Sequence, residues 1–169
     1  EEFEEADGIL SELRRKAETG DSDLPWGDCL ERSWHDGTLR VTRMYSSSSA
    51  AVPGVVIQEF PYSAHPSSGV GGTGGLVWRG ALALAEFLGQ QEFLANAQVI
   101  MEIGAGCGLP GLAAAAQLAA QGPGVKQVIL TDGPEAVVQN LAANVAANLE
   151  RLKPARSLSW YQICLQVGI

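Results

Sequence analysis

The sequence predicts an α/β fold built around half of a doubly wound parallel sheet. Three observations carry this expectation. The short apolar run 99–103 reads as a buried parallel strand, and it feeds a glycine-rich loop that opens an Ala/Leu-rich helix over 109–120. The order then repeats, with a strand over 125–131 and a helix over 134–152. Residues 156–163 supply a third strand, giving strand–helix–strand–helix–strand.

The elements follow in chain order. Residues 1–19 read as an amphipathic helix, with Phe3, Ala6, Ile9, Leu10, Leu13 and Ala17 spaced three and four apart. Gly20 and Asp21-Ser22-Asp23 end it, and its acidic first turn suits the positive end of the helix dipole. Residues 39–45 and 55–60 alternate as strands, and the Ser/Pro/Gly-rich stretch between them makes a β-hairpin. Gly69 to Gly75 is a flexible approach to a helix over 77–88, whose Trp78, Ala81, Leu82, Ala85 and Leu88 share one side. Pro134 stands at the first turn of the last helix, where its missing N–H costs nothing. The expected division is therefore an N-terminal helix and hairpin over 1–68, and a partial nucleotide-binding domain over 69–169.

Composition narrows the function classes. With 169 residues, 46% apolar and 18% charged, the chain can bury one core and is not broadly disordered. No run approaches ~18 uninterrupted apolar residues, so no membrane span is expected. A net charge of −8 argues against nucleic-acid binding, although residues 1–23 alone hold nine acids against three bases. Cys29, Cys107 and Cys164 are far apart and show no paired spacing, which fits a reducing compartment and a cytoplasmic location, with the nucleus also open. His35 and His65 have no acidic or cysteine partner at ligand spacing, so no metal is expected. No targeting leader is readable.

The chemistry concentrates in Glu102-Ile103-Gly104-Ala105-Gly106-Cys107-Gly108-Leu109-Pro110-Gly111. Glycines let the backbone turn sharply and let a ligand lie against it. The next strand ends in Thr131-Asp132, so Asp132 and the loop share the rim beyond the strands' carboxyl ends, where an acid can accept hydrogen bonds from ribose hydroxyls. Two nucleotide classes fit. Gly106 to Gly111 spells G-x-G-x-x-G, and Asp132 follows Gly111 by 21 residues, near the ~20 of a dinucleotide site. S-adenosylmethionine also fits, because Glu102 ends the first strand ahead of Gly104, Gly106 and Gly108. Charge favours the second. A pyrophosphate needs free helix N–H groups and no carboxylate nearby, whereas a sulfonium and an α-ammonium are favoured by Glu102. Pro110 also removes one N–H donor from the helix start.

Gly75-Leu76-Val77-Trp78, the run from Glu102 to Gly111, Leu130-Thr131-Asp132-Gly133, and Asn140-Leu141, Asn144-Val145 and Asn148 together resemble the seven-strand protein-lysine methyltransferases of family 16. That methyltransferase-like group includes calmodulin-lysine N-methyltransferase, and residues 125–135 look most like its branch. The resemblance covers about 75–160. It implies a Rossmann-like, S-adenosylmethionine-dependent methyltransferase fold and S-adenosyl-L-methionine as cofactor. The substrate would be a protein lysine, on calmodulin or on a translation or chaperone factor. It also implies roles. Trp78 would stand beside the methionine end of the cofactor, and Gly104, Ala105 and Gly106 would lie under it. Asp132 would bind the ribose, Gly133 and Pro134 would flank the adenine, and Trp160 would close the third strand near the adenine edge. Asn140, Asn144 and Asn148 fall four apart on one helix face and read as a polar rim.

The resemblance also implies further strands, and a later acidic motif with an aromatic that frames the lysine. After Asp132 the sequence has only Glu135 and Glu150 as acids. The expectation is a chain truncated after about three parallel strands and inactive by itself. It would carry the cofactor side of an in-line methyl transfer without the groups that neutralise and align the amine. Two alternatives are a non-catalytic interaction module derived from a methyltransferase and an NAD-binding oxidoreductase fragment.

Overall fold

In a computed structural model of the chain, the structure describes residues 28–35, 37–46, 54–63, 73–89, 94, 96–121, 127–149, 151–152 and 162–167. The N-terminal helix expected over 1–19, His65 and Trp160 lie outside them. The described residues form two three-stranded sheets and three α-helices. β1 (Asp28–His35), β2 (Thr38–Tyr45) and β3 (Val55–Ser63) make an antiparallel sheet in that order. A 3-10 turn at Thr73–Gly75 precedes α1 (Arg79–Gly89). Then follow β4 (Val99–Ile103), α2 (Leu109–Gln121), β5 (Gln127–Asp132), α3 (Glu135–Leu149) and β6 (Gln162–Val167). β4, β5 and β6 pair in parallel, in that order.

The expected hairpin is β2 with β3, and β1 extends it to a third strand that the sequence reading lacks. Its signal was Asp36-Gly37, the dipeptide of tight hairpin turns, and Gly37 has a φ of 69°. The third parallel strand, expected over 156–163, is strand at 162 and 163 and runs on to Val167; residues 156–161 lie outside the described residues. Ile163, Leu165 and Val167 alternate with more polar positions, and that alternation extends beyond the expected end.

β4 is not the doubly covered strand that its apolar run suggests. Register pairs Ile100 with Val128 and Glu102 with Leu130, so these four residues share one face. That face is the packed one, with Val128 and Leu130 fully buried. α2 packs on β4 and β5, and α3 on β5 and β6. The other face of β4 carries Val99, Met101 and Ile103, all more than half exposed. An apolar run alone cannot say whether one face or two are covered.

One core joins the two sheets. Val55 and Ile57 of β3 pack in the same cluster as Leu112, Ala115 and Leu118 of α2, Val128 and Leu130 of β5, and Leu141 and Val145 of α3. The asparagine row stitches the same junction and is no polar rim, because Asn140, Asn144 and Asn148 are 5%, 1% and 0% exposed. Asn148 accepts from the Val56 amide (2.8 Å) and donates to the Val56 carbonyl (2.6 Å). Asn144 does the same at Gln58 (2.7 and 3.1 Å) and also donates to the Cys107 carbonyl (3.0 Å). Two side-chain amides one helical turn apart thus stand in for a strand along the edge of β3, satisfying backbone groups that burial would otherwise leave costly. Their four-residue spacing was legible; their burial was not, because polar residues at helical spacing more often face water.

Candidate functional site

The carboxyl ends of β4 and β5 carry the loop and the acid at one rim. Gly104, Gly106 and Gly108 have φ of 69°, 55° and 82°, left-handed values that favour glycine. The turn closes through the Gly108 amide to the Ala105 carbonyl (2.7 Å), and the Ala105 amide ties it to the Thr131 carbonyl (2.9 Å). A Cβ at Gly104 would meet nothing, so this part of the loop shows bare backbone to open space.

Two carboxylates take two of the amides at this loop and helix start, those of Gly106 and Gly111. Asp132 accepts from the Gly106 amide (2.8 Å) and, through its other oxygen, from the Gly133 amide (2.8 Å). Glu102 accepts from the Gly111 amide at the start of α2 (2.9 Å). That bond needs a glycine, since a Cβ at residue 111 would sit 2.7 Å from the Glu102 oxygen and 2.2 Å from Leu130. Burial pushes the Glu102 carboxyl up to about 7; the Gly111 bond opposes this, and the negative charge of Asp132 adds to it.

These groups border a cavity of about 520 Å3. Of the residues singled out in the sequence, the structure brings Trp78, Glu102, Gly104, Ala105, Gly106 and Asp132 to its wall. Gly133 sits beside them, exposed, through its bond to Asp132. Trp160 precedes β6 in the sequence, and the β6 residue paired with Asp132 at the rim is Val167. The wall also includes Val77, Ala81 and Val137, to which the sequence reading gave no role at the site. Trp78 is 59% exposed, and its indole donates to the Thr73 carbonyl (2.7 Å), so it is a wall and not a core aromatic.

Cys107 also reaches the wall, but burial, then the charges of Glu59 and Asp132, push its thiol well above the usual range. It stays protonated, 3.5 Å from the Gly74 carbonyl, and is no nucleophile. Among the described residues, no cluster of His, Cys, Asp and Glu could hold a metal, and no helix is long and apolar enough to cross a membrane.

The cavity can therefore take a ligand that lies on glycine backbone, tolerates two carboxylates and gives hydroxyl donors to the β5 terminus. A family model described as lysine methyltransferase matches residues 64–166. No curated protein gives a significant match.

Proposed function

The chain belongs to the lysine methyltransferase family, whose model covers more than half of it, and from that premise we propose that it binds S-adenosyl-L-methionine in this cavity on a Rossmann-like scaffold. One observation carries the reading. The Gly106 and Gly111 amides, which a pyrophosphate would need, are already held by Asp132 and Glu102. Residue 110 is proline and offers no amide. A phosphate-free ligand bearing positive charge gains from the same two acids. This disfavours the NAD alternative.

Bound there, the cofactor supplies a methyl group on a positively charged sulfur. The chain's own residues hold and orient it. Gly104, Ala105 and Gly106 form the floor, and Trp78 excludes water on the side toward the methionine end. Asp132 keeps lone pairs beyond its two backbone bonds, and these accept the ribose hydroxyls. Gly133 and Pro134 would flank the adenine, and Trp160, which the resemblance implies at its edge, lies outside the described residues. Glu102 contributes negative charge and fixes the start of α2. The acceptor is a lysine of a cytoplasmic or nuclear protein, calmodulin or a translation or chaperone factor. The residues placed so far serve the cofactor, and none is positioned to take a proton from lysine.

Thermal shift tests the reading. S-adenosylhomocysteine at a hundredfold excess over its Kd should stabilise the chain by about 2.7 kcal/mol. NAD at the same concentration should leave the midpoint unchanged. Equal shifts from both would favour a dinucleotide site.

A further inference from the structure

Trp78 and Val77 form one wall of the cavity, yet they precede α1 and gain little from its hydrogen-bond ladder. The Trp78 carbonyl accepts the first helical bond from the Leu82 amide (3.1 Å), so the Val77 amide lies outside the helix and needs another partner. That partner comes from the other sheet. Glu59 of β3 accepts from the Val77 amide at 2.8 Å through Oε1. Its second oxygen accepts from Arg43 Nε (3.0 Å) and the Tyr45 hydroxyl (3.2 Å), both on β2. Arg43, Tyr45 and Glu59 are 5%, 8% and 6% exposed.

We propose that Glu59, clamped by Arg43 and Tyr45, is a positioning residue that sets the Val77–Trp78 wall and thereby the affinity for cofactor; this rests on the cofactor reading above. The geometry divides the labour between the two oxygens. Two donors on Oε2 fix the carboxylate, which leaves Oε1 aimed at Val77. Arg43 pairs with the charge on the side away from Val77, and the device acts through the placement of Oε1 on the Val77 amide. Burial and the neighbouring Glu59 push the Tyr45 hydroxyl up, which keeps it a donor. The wall is held from behind as well: a Cβ on Gly75 would sit 3.3 Å from the Phe60 carbonyl, and Phe60 adjoins Glu59 in β3. A shift of β3 would therefore carry the wall with it.

The test uses the full chain with two readouts, amide hydrogen exchange at Val77 without ligand and S-adenosylhomocysteine titration. Replacing a buried ion pair by apolar residues of similar volume often leaves stability intact, so Arg43→Met with Glu59→Met should fold. It should exchange Val77 at least about tenfold faster and bind about tenfold more weakly, through loss of preorganisation. Arg43→Met with Glu59→Gln keeps a neutral acceptor for Val77 and should recover most of both. Tyr45→Phe, which leaves the ion pair intact, should give smaller changes in the same direction, and it covers the case in which the double variants do not fold. Unchanged Val77 exchange in Tyr45→Phe and in the folded double variants, or unchanged affinity with faster exchange, would overturn the proposal. If the wild-type chain binds no S-adenosylhomocysteine, the cofactor reading falls, and the Val77 exchange still decides whether Glu59 holds the wall.

Discussion

Glu102 carries an ionisation near neutrality inside the cavity, and this has a sign that can be checked. Its carboxyl is raised from 4.5 to about 7. Between those values the folded chain keeps a proton that the unfolded chain has released, so stability falls as pH rises through the window, and the loss is complete above it. The size is at most about 3 kcal/mol. Glu102→Gln should flatten this part of a pH–stability profile measured by urea unfolding. In the wild type, affinity for a cationic ligand should rise from about pH 6 to pH 8 as Glu102 ionises, and Glu102→Gln should remove most of that rise. Asp132 has two duties, the Gly106 amide and the proposed ribose bonds. Asp132→Ala should therefore weaken S-adenosylhomocysteine by roughly 1.5–3 kcal/mol, about ten- to a hundredfold by direct titration. Wild-type affinity in that variant would leave Asp132 with the loop alone. Both acids were legible in the sequence because they end strands beside glycines. Arg43 and Glu59 were missed, although each occupies an inward position of an alternating strand, where an unpaired charge would be intolerable.

Periodicity located the three described helices and the first two parallel strands at the element scale, because each has an apolar face long enough to show its repeat. It failed where a face is not apolar. β1 leaves Leu30 and Trp34 exposed, so its alternation carries little signal. The asparagine row fails in the opposite sense, since three polar residues fill a buried helix face whose partner is the edge of β3. That contact brings together residues 82 or more positions apart, and no local pattern announces it. Its energetic weight can be measured. Asn144→Leu orphans the Gln58 amide and the Cys107 carbonyl, while Asn140 still donates to the Gln58 carbonyl (3.1 Å), and should cost roughly 2–5 kcal/mol. Gln139→Ala, on the exposed face of α3 with one bond to Glu135 (3.1 Å), should stay within about 0.5 kcal/mol. Similar losses from both, by chemical denaturation, would mean that the junction does not depend on these bonds.

For the molecule as a whole, the two sheets share one core, while the outer face of β4 stays open among the described residues. The open face runs along β4, where Ile103 is 83% exposed, so self-association should track this strand. Met101→Lys should lower concentration-dependent light scattering without changing cofactor affinity. Unchanged scattering would place the contact elsewhere. The sequence pattern could not distinguish one covered face from two, because both read as the same apolar run. The central claim is that carboxylates already hold the Gly106 and Gly111 amides, so the site takes a phosphate-free nucleoside with a positive tail. Calorimetric titration of the purified chain with S-adenosylhomocysteine and NAD side by side tests it most directly. The account predicts saturable S-adenosylhomocysteine binding that Asp132→Ala weakens, with NAD at least about a hundredfold weaker. NAD binding as tight as S-adenosylhomocysteine, or tighter, would contradict it.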